Sequence, residues 1–207
     1  AGKFVCLRVD IDQNRPLANR FRAEALPTVV FTDPWGTEIA RRQGFGDPLD
    51  YIPILKGLPG ELAPLAGPYE RLTLNGHDLQ AMLDIARFYY RKQLFYTSRE
   101  FYERALLEKA IKDDPALRGD VMTAIGWNLL KTGDARGARK RFERCLKEVP
   151  DHPGLEVTLY GLLRAQIEEG ERAAAEETFG RLREANPKSP LLDQARIDLA
   201  AGALAGP

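Results

Sequence analysis

Cysteine is scarce in this chain of 207 residues: Cys6 and Cys145 are the whole supply, and neither belongs to a C-x-x-C. That excludes a disulfide framework and a cysteine metal knuckle, and the apolar neighbours of both residues read as those of small buried thiols. His77 and His152 stand beside proline and glycine without ligand-spaced companions, so no metal and no cofactor is expected. Net charge is absent as well. Thirty Lys and Arg face thirty Asp and Glu, which leaves no overall attraction to nucleic acid or to an anionic membrane. No apolar run approaches the roughly 20 residues of a membrane helix. G-x-S-x-G, P-loop and dinucleotide glycine motifs are missing. The opening AGKFVCLRVD has no initiating Met and no charged or apolar leader. It reads as a trimmed or partial soluble protein, with cytoplasm and periplasm both open.

What is present divides into two halves with different periods. Up to residue 57 the pattern mixes strands and helices. Phe4–Val9 is rich in β-formers, and Asp12 and Asn14 supply turn and cap chemistry for a helix near residues 14–23. Thr28–Thr32 reads as a second strand, Asp33-Pro34-Trp35-Gly36 as a turn, and Glu38–Gln43 as its hairpin partner. Asp47 is placed to cap a last helix through about Lys56. Residues 58–77, rich in proline and glycine, read as a linker with one helical turn at most.

From residue 78 to the end the signals are helical and they repeat. Ile125, Gly126, Leu129, Gly133, Ala138, Phe142, Cys145 and Pro150 follow one another at spacings that Leu162, Gly170, Ala175, Phe179, Leu182 and Pro187 reproduce. A looser copy runs through Ile85, Ala86, Tyr89, Ser98, Tyr102 and Ala105, with a lengthened second helix before Pro115. The order is large and small residues on a first helix, a glycine turn, alanine and an aromatic on a second, and a closing proline. This resembles the tetratricopeptide family. Thr97 and Glu100 read as a capping box, Gly133 and Gly170 as left-handed helix ends, and Ser189-Pro190 as the start of a capping helix.

The run RVDIDQNRPLANRFRAEALPTVVFTDPWGTEIARRQGFGD resembles the thioredoxin family from its third strand onward. The features that carry it are Asp12-x-Asn14, the short helix, Leu26-Pro27-Thr28 before an apolar strand, the hairpin, and Gly44 before the last helix. The resemblance implies a cis peptide at Pro27 and a docking edge for extended peptides lined by Leu26, Pro27 and Gly44. The alternative is a strand that simply begins on a trans proline. The dithiol of that family belongs to a segment ahead of the third strand, so this chain carries no catalytic cysteine and no two-cysteine exchange is expected of it. Without the neighbouring strand of that sheet, Phe4–Val9 is left to lie at an edge, to pair with Thr28–Thr32, or to recruit another copy into a homo-oligomer.

The expected fold is thus α/β plus all-α. A partial thioredoxin-like β-α-β-β-α unit (1–57) and a linker (58–77) precede an array of three helical repeats and a cap (78–207). The resemblance to tetratricopeptide repeats implies a groove along the first helices. Leu83, Arg87 and Tyr90, then Thr123, Trp127 and Leu130, then Tyr160, Arg164 and Ile167 project there. Aromatics with arginine favour a protein or peptide partner. The lysine and asparagine of the two-carboxylate clamp in chaperone-binding members are replaced by Leu83, Arg87 and Trp127, so a chaperone tail is not the expected ligand. Arg136, Lys140, Arg144 and Lys147 form a basic stripe that Glu143 and Glu148 interrupt, which argues for a solvated face over nucleic acid. The expected function is partner binding, within a parent thiol–disulfide oxidoreductase or, alternatively, in a redox-inactive adaptor.

Overall fold

The structure, a computed structural model, describes residues 4–204. The chain divides into two compact units between Leu62 and Ala63. In the first, α1 (Arg15–Arg20) begins with Pro16 in its first turn, where a missing N–H costs nothing, and stops before Arg22, whose φ is 48°. β1 (Thr28–Thr32) and β2 (Glu38–Gln43) pair antiparallel, Thr28 opposite Gln43 and Val30 opposite Arg41. Asp33 organises the tip. Its buried carboxylate accepts from the backbone N–H of Trp35 at 2.9 Å and of Thr37 at 2.8 Å, and Gly36 takes the positive φ of 81°. Asp47 and Asp50 form a reciprocal capping box ahead of α2 (Tyr51–Gly57).

Two expectations fail in this unit. Phe4–Val9 is not a strand: it has no ladder partner, and Val5 and Leu7 are 91% and 81% exposed. β-Propensity alone does not make a strand, because the backbone N–H and C=O groups need a neighbour, and among the described residues β1 and β2 pair only with each other. Neither arrangement within the chain, edge or direct pairing with β1, is formed. Cys6 is exposed rather than buried for the same reason. Among the described residues of this unit only Asp33 is buried, so the unit has no dry interior.

The second unit holds the core. Residues 58–77 are not all linker. Ala63–Leu65 forms a 3₁₀ turn and α3 (Ala66–Leu74) follows, with Pro68 within its first turn. Tyr69 is buried there, its ring edge-on to Phe101 at 6.0 Å, and Arg71 pairs with Asp84 at 2.7 Å. Helical pairs follow: α4 (Leu79–Arg91) with α5 (Phe95–Leu107), α7 (Pro115–Lys131) with α8 (Ala135–Glu148), and α9 (Leu155–Glu168) with α10 (Arg172–Ala185). The lengthened second helix of the first pair is broken at Glu108. A separate α6 (Lys109–Lys112) buries Ile111 before Asp114 caps α7. α11 (Leu191–Leu204) packs on α9 and α10.

Each pair turns in the same way. Asp134 and Gly133 donate back to the Leu129 and Leu130 carbonyls, Glu171 and Gly170 to Gln166 and Ile167, and Leu94 and Gln93 to Tyr89 and Tyr90. This is the Schellman end, which needs a left-handed residue at its apex. Gly133 and Gly170 supply it at φ 81° and 78°, and Gln93 does so at 60°. In the first pair that turn starts α5 at Phe95, so Thr97 lies buried inside the helix and the Thr97–Glu100 capping box does not form.

The ring of Phe142, fully buried on α8, sets the approach of three helices. A Cβ at Gly126 of α7 would sit 2.4 Å from Cε1 of that ring, and one at Gly161 of α9 would sit 2.4 Å from its Cζ. Clamped on both sides, the ring has nowhere to swing. Alanine at a helical glycine ordinarily gains about 0.5–1 kcal/mol. Here Gly126→Ala and Gly161→Ala are each expected to lose about 1–3 kcal/mol through overpacking. Gly180→Ala, where a Cβ meets nothing within 4 Å, should show the ordinary gain. Urea midpoints followed by circular dichroism check this, and a Gly126→Ala protein as stable as its parent would refute the clamp.

Candidate functional site

The first helices of the pairs carry the expected groove residues, and the structure sorts them. Leu83 and Leu130 are buried among the helices. Thr123 is buried too, its Oγ1 2.5 Å from that of Thr158. These three do not face a ligand. Arg87 is exposed and its nearest carboxylate, Asp84, is 3.9 Å away. Tyr90, one turn along the same face of α4, is half-buried with its ring edge-on to Phe95 at 5.5 Å.

Trp127 and Tyr160 are brought together. Their ring centroids are 5.7 Å apart, and Trp127 also meets Phe142 edge-on at 6.0 Å. The clamp on Phe142 therefore positions the indole. Trp127 is half-buried, while its Nε1 is buried and finds no acceptor among the described residues. The Tyr160 hydroxyl donates to Asp198 of α11 at 2.7 Å, and Arg164 lies 3.6 Å from the same carboxylate and 3.6 Å from Glu168. Burial pushes the Tyr160 phenol up, and its bond to Asp198 adds to that. For Arg164, burial acts to lower the pKa, but Tyr160, Asp198 and Glu168 outweigh it and the net direction is up. Ile167 is half-buried against α11. Asp198 was missed by inspection, yet it stands one 34-residue tetratricopeptide period after Arg164, so the repeat frame carried forward locates it.

In the first unit, the Pro27 carbonyl accepts from the Gly44 N–H at 2.8 Å, which joins two of the three residues assigned to a docking edge. Leu26 beside them is exposed, and the Leu26–Pro27 peptide is cis.

Residues 129–199 match the tetratricopeptide repeat family. The span takes in the end of α7, all of α8, α9 and α10, and most of α11. It does not extend to the first unit, where the thioredoxin-like resemblance stands on the residues alone. No curated protein matches the chain. Tetratricopeptide repeats are protein-binding folds, and no described helix is long and apolar enough to cross a membrane.

One constellation resembles catalytic machinery. Cys145 Sγ lies 3.7 Å from His152 Nε2, and Thr158 Oγ1 lies 3.0 Å from the same nitrogen. Burial pushes the thiol up and the imidazole down, so both are neutral near pH 7 and no thiolate–imidazolium pair exists. His152 Nδ1 accepts from the Gly154 N–H at 3.1 Å, which leaves the proton on Nε2 to face Thr158 and Cys145. The cluster is a staple between α7, α8 and α9. Among the described residues no group of three or more His, Cys, Asp or Glu is arranged to hold a metal.

The staple has a pH signature. An unfolded histidine takes up its proton near pH 6.5, about the ordinary value, while the folded one resists until lower pH. The unfolded state then binds more protons, so stability falls as pH drops from neutral through that range. Urea midpoints between neutral pH and the carboxylate range should show this slope in the parent and lose most of it in His152→Gln. An equal slope in both proteins would place the titration elsewhere.

Proposed function

We propose that this chain is a redox-inactive adaptor that binds an extended peptide along its first helices. The observation that carries the reading is the half-buried indole of Trp127, which lies over the buried ring of Tyr160, together with the exposed Arg87 and half-buried Tyr90 on the corresponding first helix α4. Aromatic rings offer apolar area at little entropic cost, and guanidinium groups take carboxylates in a fixed fork. Peptides with an aromatic or aliphatic anchor beside an acidic residue fit that pairing. Two cysteines, one exposed and one buried, provide no dithiol for exchange. Display of random peptides against the chain, followed by anisotropy titration of those selected, tests this. Trp127→Ala and Arg87→Glu are each expected to weaken binding by about tenfold or more, the scale of an interface hot spot. Selected peptides that bind both variants like the parent would remove the groove from the mechanism.

A second reading concerns the first unit, taken as the docking half of a thioredoxin-like domain in a longer oxidoreductase. Two observations favour it: the Pro27–Gly44 hydrogen bond, and the exposure of Phe4, Val5, Leu7, Leu26 and Phe45 in a unit with no dry interior. A preceding segment would cover those side chains and bring the cysteines. A polypeptide extended upstream to include a W-C-x-x-C is expected to reduce insulin, and this chain alone is not. An upstream sequence lacking paired cysteines, or turnover by this chain, contradicts the reading.

A further inference from the structure

The second helices of the first two repeat pairs enclose a cleft on a side of the array that the peptide groove does not use. Its volume is about 310 Å³, and Arg99 and Glu103 of α5 line it with Lys140, Arg141 and Arg144 of α8, over Leu129 and Gly137. Four cations and a single carboxylate meet there. The charge is local: α8 carries six basic and two acidic residues in a chain whose net charge is zero.

The ion pairs decide which cations are free. Arg141 is held by Glu103 at 2.8 Å, and Arg144 by Glu148 at 2.5 Å. Arg99 rests over the ring of Tyr96 at 5.6 Å, and no carboxylate among the described residues forms an ion pair with it. Lys140 is exposed, and no carboxylate among the described residues pairs with it. Two positive charges therefore remain in the cleft, and the two paired arginines keep further donors beside them. A phosphate monoester near pH 7 carries about −1.5 to −2 charges and three acceptor oxygens, the complement of that set. The volume is at the low end for ligand pockets, about 300–1,000 Å³. It suits one such group with a short piece of the chain that bears it.

We infer that this cleft binds a phosphorylated side chain of a partner protein, with Lys140 and Arg99 as the specificity-determining cations and Arg141 beside them. Leu129 gives the floor an apolar patch for the stem that carries the phosphate. Glu103 orients Arg141 and discourages ligands with extended negative charge, which separates a single phosphoryl group from a nucleic-acid backbone. The site is independent of Trp127 and of the peptide groove.

The test uses the full chain and a short neutral peptide carrying one phosphoserine, with the unphosphorylated peptide, inorganic phosphate and a single-stranded RNA as comparisons. The phosphopeptide should shift the amide resonances of Leu129 and Gly137 and bind more than about tenfold tighter than its unphosphorylated form, the scale of a charge-assisted contact. Lys140→Glu and Arg99→Glu should each abolish that preference, Lys140→Arg should keep it, and Trp127→Ala should leave it unchanged. Four results would overturn the inference: equal binding of the two peptides, an intact preference in Lys140→Glu, shifts produced by inorganic phosphate but not by the phosphopeptide, or RNA displacing the phosphopeptide from the cleft.

Discussion

The ring of Phe142 fits between two helices because neither has a side chain where it lies. Gly126 and Gly161 keep α7 and α9 close to α8, and Trp127, the residue after Gly126, is carried against both Phe142 and Tyr160. A buried aromatic between backbones is a steric constraint more than an attractive one. It admits one spacing and one ring orientation, and overpacking penalises any other. α7, α8 and α9 take their spacing from this contact, and the three helical pairs are connected through equivalent Schellman turns.

That geometry gives the array two chemically different faces. The first helices present rings beside arginines, and the second helices of adjacent pairs leave a cationic cleft whose walls are tied by Arg141 and Glu103. Surface ion pairs of this type contribute little to stability, commonly about 0–1 kcal/mol. Their effect here is on placement, since each pair removes one cation from the pool that a ligand can reach. The buried Cys145–His152–Thr158 cluster belongs to neither face and acts inside the array.

Much of the helical half was legible because its signals are local. The glycine turns at Gly133 and Gly170 and the spacing of Ala138, Phe142 and Ala175 need no knowledge of distant residues. The Thr28–Gln43 hairpin was legible for the same reason, through alternation around an Asp-Pro-Trp-Gly turn. Readings that depended on partners failed. Phe4–Val9 has strand composition but no ladder neighbour. Thr97 has capping chemistry but is the third residue of a helix whose start Gln93 and Leu94 decide. The Pro/Gly-rich stretch hid α3, since Pro68 falls where a helix tolerates proline and Tyr69 finds Phe101 only in three dimensions. In the groove, Arg87 and Trp127 emerged on the surface while Leu83, Thr123 and Leu130 turned inward, a distinction of helix rotation that spacing alone does not resolve. The cleft between α5 and α8 was visible only as an interrupted basic stripe, because its carboxylate comes from another repeat.

Asp198 gives the row of first-helix residues a direction. Arg87, Trp127, Arg164 and Asp198 follow one another at the corresponding place on α4, α7, α9 and α11, so the row runs from cation through aromatic ring to cation and ends on an anion. A row of unlike charges is not the same read backwards. The anion is engaged within the array by Tyr160 and Arg164, so one end of the row ties α11 to α9 while the other leaves Arg87 exposed, 3.9 Å from Asp84.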